Sequence, residues 1–303
     1  MAAPGPDTAL DVRGRGVRKG KRVSTVKTSD VKAGEHIVRL NRAGEGNGPA
    51  ILFLHGSGPG ATGMSNFSGN LDAFAEDYDC LVIDQVGWGD SSHPEDAPGG
   101  RVRQIVTANL NLLDELGIEK VHLVGNSLGG AVALNMAARA PERVDKLICM
   151  GSAGGGGAAA TPSAELMKLI TFYDDPTPES MRDLISYMVV DLDLFGDRLS
   201  AIAEQRLSGA LRPEVRRSHE LTFSPRGLAG LAVPETGLRR IVNEALLIHG
   251  REDPVVPLAA SEWLVRRLPN ARLFVVPKCA HWVQIEAAAT FNSLARDFLS
   301  GRI

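Results

Sequence analysis

The sequence predicts an α/β protein: a mostly parallel central sheet with helices on both faces, interrupted by an all-helical insertion placed to act as a lid. Three observations carry this expectation. Short, continuous apolar runs such as Ala50–Leu54 alternate with segments of helical spacing in the first half of the chain and again near its end. Between residues 161 and 224 the alternation stops, and only helical spacing is found. Finally, Gly125-Asn126-Ser127-Leu128-Gly129-Gly130 follows an apolar run at 121–124 and precedes the Ala/Val/Leu/Met-rich stretch 131–139. A strand, a glycine-flanked serine and a helix form a sharp turn that points a side chain out of the sheet edge.

Taken in order, residues 1–20 are rich in Gly, Pro and Arg and read as a flexible arm. Residues 22–27 and 35–40 read as an antiparallel strand pair, 41–49 as a loop, and 50–54 as a strand buried on both faces. A helix is expected at 70–76 and a strand at 80–84. An amphipathic helix follows at 102–116, with Ile105, Ala108, Leu112, Leu113 and Leu116 on one side and Gly117 as its stop. After a strand at 145–150, residues 151–157 form a glycine-rich loop. Helical spacing at 164–172, 178–190 and 196–211 builds the insertion. Beyond it come a strand at 245–249, a helix at 259–268, a strand at 271–276 and a terminal helix at 290–300. The organisation is therefore an arm at 1–20, a core at 21–157 and 240–303, and a lid at 158–239.

With 303 residues, 44% of them hydrophobic, the chain can bury the core of one large α/β domain carrying an insertion. A net charge of −3 gives no reason to expect nucleic acid as a partner. The local exception is Arg13, Arg15, Arg18, Lys19, Lys21 and Arg22, a solvated arm without the interleaved aromatics that stack on bases. Cys80, Cys149 and Cys279 show no paired spacing, and the first two lie in apolar runs as reduced core residues. The first thirty residues lack an apolar signal core, and no apolar stretch is long enough to span a bilayer. A cytoplasmic protein without membrane association is expected.

Ser127 is a candidate nucleophile, and it requires a base, an acid and an oxyanion hole. Of the seven histidines, His36, His122 and His249 lie in strand-like runs as core or surface residues. His93 and His219 lie in polar segments, and His55 is placed to brace the loop after 50–54. His281 follows the strand at 271–276 by a short loop, at the carboxyl edge of the sheet where chemistry collects, and is the candidate base. Asp253, in Gly250-Arg251-Glu252-Asp253-Pro254 after the strand at 245–249, is the candidate acid, with Glu252 its rival. The oxyanion donors are the amides of Leu128 and Ser57. Gly56 and Gly58, in His55-Gly56-Ser57-Gly58-Pro59-Gly60, let that backbone approach a substrate; the spacing does not fit a phosphate-binding loop.

These motifs resemble the α/β-hydrolase fold and, within it, the meta-cleavage product hydrolases. The most specific matches are His55-Gly-Ser-Gly-Pro-Gly-Ala61 with Asn66, Gly125-Asn-Ser-Leu-Gly-Gly130, and His281-Trp282. The resemblance implies hydrolysis of a carbon–carbon bond in a 2-hydroxy-6-oxohexa-2,4-dienoate, a small-molecule substrate, with no metal or organic cofactor and a homodimer or higher homo-oligomer. It also implies that Arg206 holds the substrate carboxylate, with Asn126, Trp282 and Asn66 around the same end. Met64 and Val86 depart from the family pattern and bear on the fit of the substrate tail. An arginine on a solvated helix face is the plain alternative for Arg206. An esterase or lactonase on the same frame, or a ligand receptor that keeps the scaffold, are the alternative functions.

Overall fold

The computed structural model describes residues 25–154 and 162–303. The basic arm, the start of the strand expected at 22–27 and part of the glycine-rich loop lie outside the described residues. The strands are β1 (Val26–Ala33), β2 (His36–Ala43), β3 (Ala50–Leu54), β4 (Asp79–Ile83), β5 (Val121–Asn126), β6 (Val144–Met150), β7 (Ala245–Gly250) and β8 (Ala271–Val276). They form one sheet in the order β1-β2-β4-β3-β5-β6-β7-β8. β1–β2 and β2–β4 pair antiparallel, and the remaining pairs are parallel.

Parallel pairing brings the carboxyl ends of these strands to one edge. Leu54 pairs with Gly125, Asn126 with Met150, Met150 with Ile248, and Gly250 with Val276. β3, β4, β5 and β7 are buried at every position, which explains why they are mostly apolar, with Asp79, His122, Asn126 and His249 the polar exceptions. β1 corrects the sequence reading: the strand expected to end at 27 runs on through Ala33, over residues read as the link to the next strand, because it is an edge strand largely open to solvent and carries no apolar run.

Helices cover both faces. One face packs on α2 (Arg101–Glu115) and α3 (Leu128–Arg139), which bury Ile105, Leu112, Val132 and Met136 against Leu52, Leu123 and Leu147. The helix expected at 70–76 is instead α1 (Gly63–Phe67) followed by a 3-10 turn at Ser68–Ala73. α1 lies on the other face, where Phe67, Phe74 and Phe291 gather around Phe53, with ring centroids 5.2 to 6.2 Å apart.

The insertion between β6 and β7 contains α4 (Ala164–Ile170), α5 (Pro178–Ser186), α6 (Leu199–Ala210), α7 (Pro213–Thr222), α8 (Pro225–Ala229) and α9 (Glu235–Leu238), and no strand among the described residues. Ser163, Thr177 and Ser224 cap α4, α5 and α8 by accepting a backbone amide. Phe172, Tyr173, Met181, Ile185 and Phe195 form a core of the insertion that also takes in Val255, Val256 and Trp282 from the sheet side. The chain returns through α10 (Leu258–Val265), then, beyond β8, α11 (Val283–Glu286) and α12 (Ala288–Leu299). Among the described residues no helix is long and apolar enough to cross a membrane.

Candidate active site

Ser127 stands between β5 and α3 with φ of 56° and ψ of −115°. A left-handed backbone costs a non-glycine residue about 1–3 kcal/mol, a strain the surrounding packing must hold. That packing depends on glycine. A Cβ on Gly125 would strike the backbone of Gly129, and one on Gly129 would strike the carbonyl of Leu54. The turn brings the Ser127 side chain into a narrow cavity that Gly56, Ser57, Gly58, Asn66, Asn126, Arg206, His281 and Trp282 also line. The sequence-derived residues therefore converge, and the insertion contributes Leu169 and Met188.

His281 Nδ1 lies 2.7 Å from Asp253 Oδ2, both side chains being almost fully buried. The other oxygen, Oδ1, accepts the amides of Val255 and Val256 at 2.9 Å each. Burial alone would raise the Asp253 carboxyl. The adjacent His281 and the hydrogen bonds of His249 and His281 outweigh it and hold the carboxyl far below the usual carboxylate range. An ionised acceptor at Nδ1 fixes that nitrogen as the donor and leaves Nε2 as the basic one. The rival Glu252 is instead exposed and paired with Arg251.

His249 is a buried histidine with partners, as its strand position implied, yet it also touches the site. Its Nδ1 meets Ser261 Oγ at 2.7 Å, and its Nε2 lies 2.9 Å from the Val256 carbonyl and 3.4 Å from Asp253 Oδ2. Nothing in its apolar run signalled that contact. The Ser127 hydroxyl has no hydrogen-bond partner among the described residues; nucleophile–base contacts tighten when substrate arrives. The Leu128 amide, the first of α3, has no hydrogen-bond partner among the described residues, whereas the Gly130 amide donates to the Ser127 carbonyl at 3.0 Å.

His55 braces the loop as expected. Its Nε2 accepts the Gln85 amide at 3.0 Å, so Nδ1 carries the proton toward the Gly56 carbonyl at 2.8 Å; burial pushes its pKa down to about 4. Asn126 combines two behaviours. Its amide nitrogen donates to the Met150 and His281 carbonyls at 3.2 and 3.1 Å, tying the serine turn to the imidazole loop. Its Oδ1 is buried and has no partner among the described residues. Asn66 donates to the Thr62 carbonyl at 3.0 Å and reaches the cavity from α1.

Arg206, on α6, is not a solvated surface residue. Its Nε donates to the Pro59 carbonyl at 3.0 Å, its guanidinium carbon stands 5.1 Å from the Trp282 ring centroid, and among the described residues it forms no ion pair. Burial lowers it to about 10. Gly58 makes room for it, since a Cβ there would come within 2.5 Å of the guanidinium. Arg206 and Trp282 also bound an adjoining narrow cavity with Leu169, Leu184, Ile185 and Met188. Among the large apolar residues of the insertion, Met188 lines the cavity, whereas Phe172 and Phe195 pack inside the insertion.

A sheet of this order with a strained serine at the turn after its central strand defines the α/β-hydrolase class, and residues 49–288 match the family described as alpha/beta hydrolase fold. The chain is 38% identical over 266 residues to the 2-hydroxymuconate semialdehyde hydrolase of Pseudomonas sp. (strain CF600), covering 87% of this chain and 91% of that one. Two solved structures are similar over nearly the whole chain. The 2-hydroxy-6-oxo-6-phenylhexa-2,4-dienoate hydrolase of Rhodococcus sp. strain RHA1 has a TM-score of 0.86 at 35% identity, covering 91% of this chain and 99% of that one. A meta-cleavage product hydrolase from Pseudomonas fluorescens IP01 has a TM-score of 0.82 at 31% identity, covering 91% and 98%. The chain belongs to the meta-cleavage product hydrolases.

Proposed function

We propose that this protein hydrolyses the carbon–carbon bond of a 2-hydroxy-6-oxohexa-2,4-dienoate-type ring-fission product, releasing 2-hydroxypenta-2,4-dienoate and a carboxylic acid. The observation that carries the reading is Arg206. A half-buried guanidinium without a carboxylate partner among the described residues, in the cavity that holds Ser127 and His281, calls for an anionic substrate. A neutral ester would leave that charge unanswered. Leu169, Leu184, Ile185 and Met188 supply apolar walls beside it. The names of the relatives point to the same substrate class.

In this reading the segment 158–239 is the lid. Arg206 holds the dienoate carboxylate, with Asn126, Asn66 and Trp282 around it and Gly56 and Gly58 giving the backbone close access. Proton transfer to C5 first converts the dienol to its keto form. Ser127, giving its proton to His281, then attacks the C6 carbonyl while Asp253 stabilises the imidazolium. The Leu128 and Ser57 amides hold the oxyanion, each donor contributing about 3–4 kcal/mol. Cleavage of the C5–C6 bond expels the five-carbon dienoate and leaves an acyl-serine, which water activated by His281 hydrolyses.

The test follows loss of the visible absorbance of a coloured dienoate, with products resolved by chromatography. Ser127→Ala is expected to lower product formation by about 10⁴-fold or more. Unchanged turnover in that variant would remove Ser127 from the reaction. Turnover of p-nitrophenyl esters by the parent enzyme, with no dienoate cleaved, would favour an esterase.

A further inference from the structure

One carboxylate joins the insertion to the loop that carries His281. Glu286, the last residue of α11, accepts the amides of Val190 and Asp191 on Oε1 at 2.6 and 3.0 Å. Its Oε2 accepts the amide of Ala280 at 2.7 Å. Ala280 immediately precedes His281, and Val190 follows the cavity residue Met188 by two positions. A second backbone tie runs alongside, from the Trp282 amide to the Met188 carbonyl at 2.9 Å.

The Tyr187 and Met188 amides still bond to the Leu184 and Ile185 carbonyls at the end of α5, whereas the Val190 and Asp191 amides lie beyond the helix and find their acceptor in Glu286. Val190 and Asp191 are exposed. Glu286 makes no ion pair among the described residues; besides these three amides its carboxylate meets the Cys279 thiol of the same loop. By contrast, Glu252 holds the same loop through the Cys279 amide at 3.1 Å but is not hydrogen-bonded to the insertion.

We propose that Glu286 is a positioning residue: its carboxylate fixes the Met188 wall of the insertion and the His281 loop against each other, so that the substrate pocket and the base are placed together. The inference rests on the roles given above to His281 and the lid. A displacement of about 1 Å at a base or a binding wall is enough to cost a large factor in rate. A carboxylate suits the task because both of its oxygens accept. Glutamine has one acceptor and one donor, so it can serve the insertion or Ala280, but not both.

The experiment compares Glu286→Ala and Glu286→Gln with the parent, each shown to be folded by circular dichroism at the assay temperature. In Glu286→Ala, kcat for the dienoate is expected to fall about tenfold or more and KM to rise about threefold or more. In Glu286→Gln one of the two parameters is expected to move by a similar factor while the other stays near the parent value. Hydrogen exchange is expected to quicken in segments 187–191 and 278–282 together in the alanine variant, and in one of them in the glutamine variant. Acylation by p-nitrophenyl acetate reads the Ser127–His281 arm independently, so a parent inactive on dienoates defeats the functional reading without deciding this one. Both kinetic parameters within about twofold of the parent in either folded variant, with only the melting temperature lowered, would overturn the proposal. So would a change confined to kcat, or confined to KM, in Glu286→Ala. Should the alanine variant fail to fold, the glutamine variant decides.

Discussion

The sheet edge and the helical insertion each place a charge beside the same cavity, Asp253 buried and Arg206 half-buried, and they treat it in opposite ways. Asp253, at the sheet edge, is answered within the protein by two amides and by His281. Arg206, from the insertion, has one carbonyl and the face of an indole. A buried charge without a counter-charge is costly. The first arrangement describes a group meant to stay as it is through turnover, and the second a group left incomplete until an anion arrives. On the proposed function, the sheet side sets the chemistry and the insertion selects the substrate.

The largest break in that division comes from the sheet side. In Asp253→Asn the side-chain oxygen remains with the Val255 and Val256 amides, so the new NH₂ faces His281. Nδ1 must then accept, the imidazole proton moves to Nε2, and the base is lost with the fold intact. A fall in kcat of about 10⁴-fold is expected, with KM little changed. A fall below about tenfold in a variant whose melting temperature matches the parent would mean that Asp253 does not orient the base.

The insertion side predicts a different signature. Arg206→Met keeps much of the side-chain volume and removes the charge. The value of kcat/KM for a dienoate is expected to fall by about 30-fold or more, with the larger part in KM. Because the removed cation is half-buried and forms no ion pair among the described residues, the melting temperature of the ligand-free protein is not expected to fall. Saturating dienoate analogue should stabilise the parent more than the variant. A variant that binds dienoate as well as the parent and melts lower would show that Arg206 is a structural residue.

The same division explains what the sequence made legible. Ser127, Asp253 and His281 each follow a short apolar run, and parallel strands deliver such positions to one edge whatever the details of packing. Arg206 sits mid-helix in Glu204-Gln205-Arg206-Leu207, where periodicity gives no sign that it points into a cavity; only the family resemblance singled it out. Glu286 was missed because its partners are backbone amides far away in sequence, which no side-chain pattern records. The contact of His249 with Asp253 was hidden for a related reason: its run looked like any buried strand. β1 was misplaced because an exposed edge strand needs no apolar residues to form its ladder.

The smallest expected effect concerns a further charge, buried on the sheet side and outside the chemistry. Asp84, just after β4, accepts the Gly63 amide on Oδ1 at 2.8 Å and the Asp90 amide on Oδ2 at 3.0 Å. Burial raises its pKa to about 6, and these amides offset burial only in part. The folded-state value thus lies above the ordinary aspartate value of about 3.9. Its contribution to stability is full below that ordinary value and is lost as pH rises through about 6. The change amounts to about 3 kcal/mol across the window. Asp84→Asn does not titrate, so the stability gap between parent and variant is expected to shrink by several degrees in melting temperature between about pH 4 and pH 7. A gap that stays constant across that range would show that two amides are enough to keep a buried carboxylate at its ordinary pKa. In that case the contrast with Arg206 sharpens further, because backbone donors alone would then fully answer a charge that the insertion leaves to its ligand.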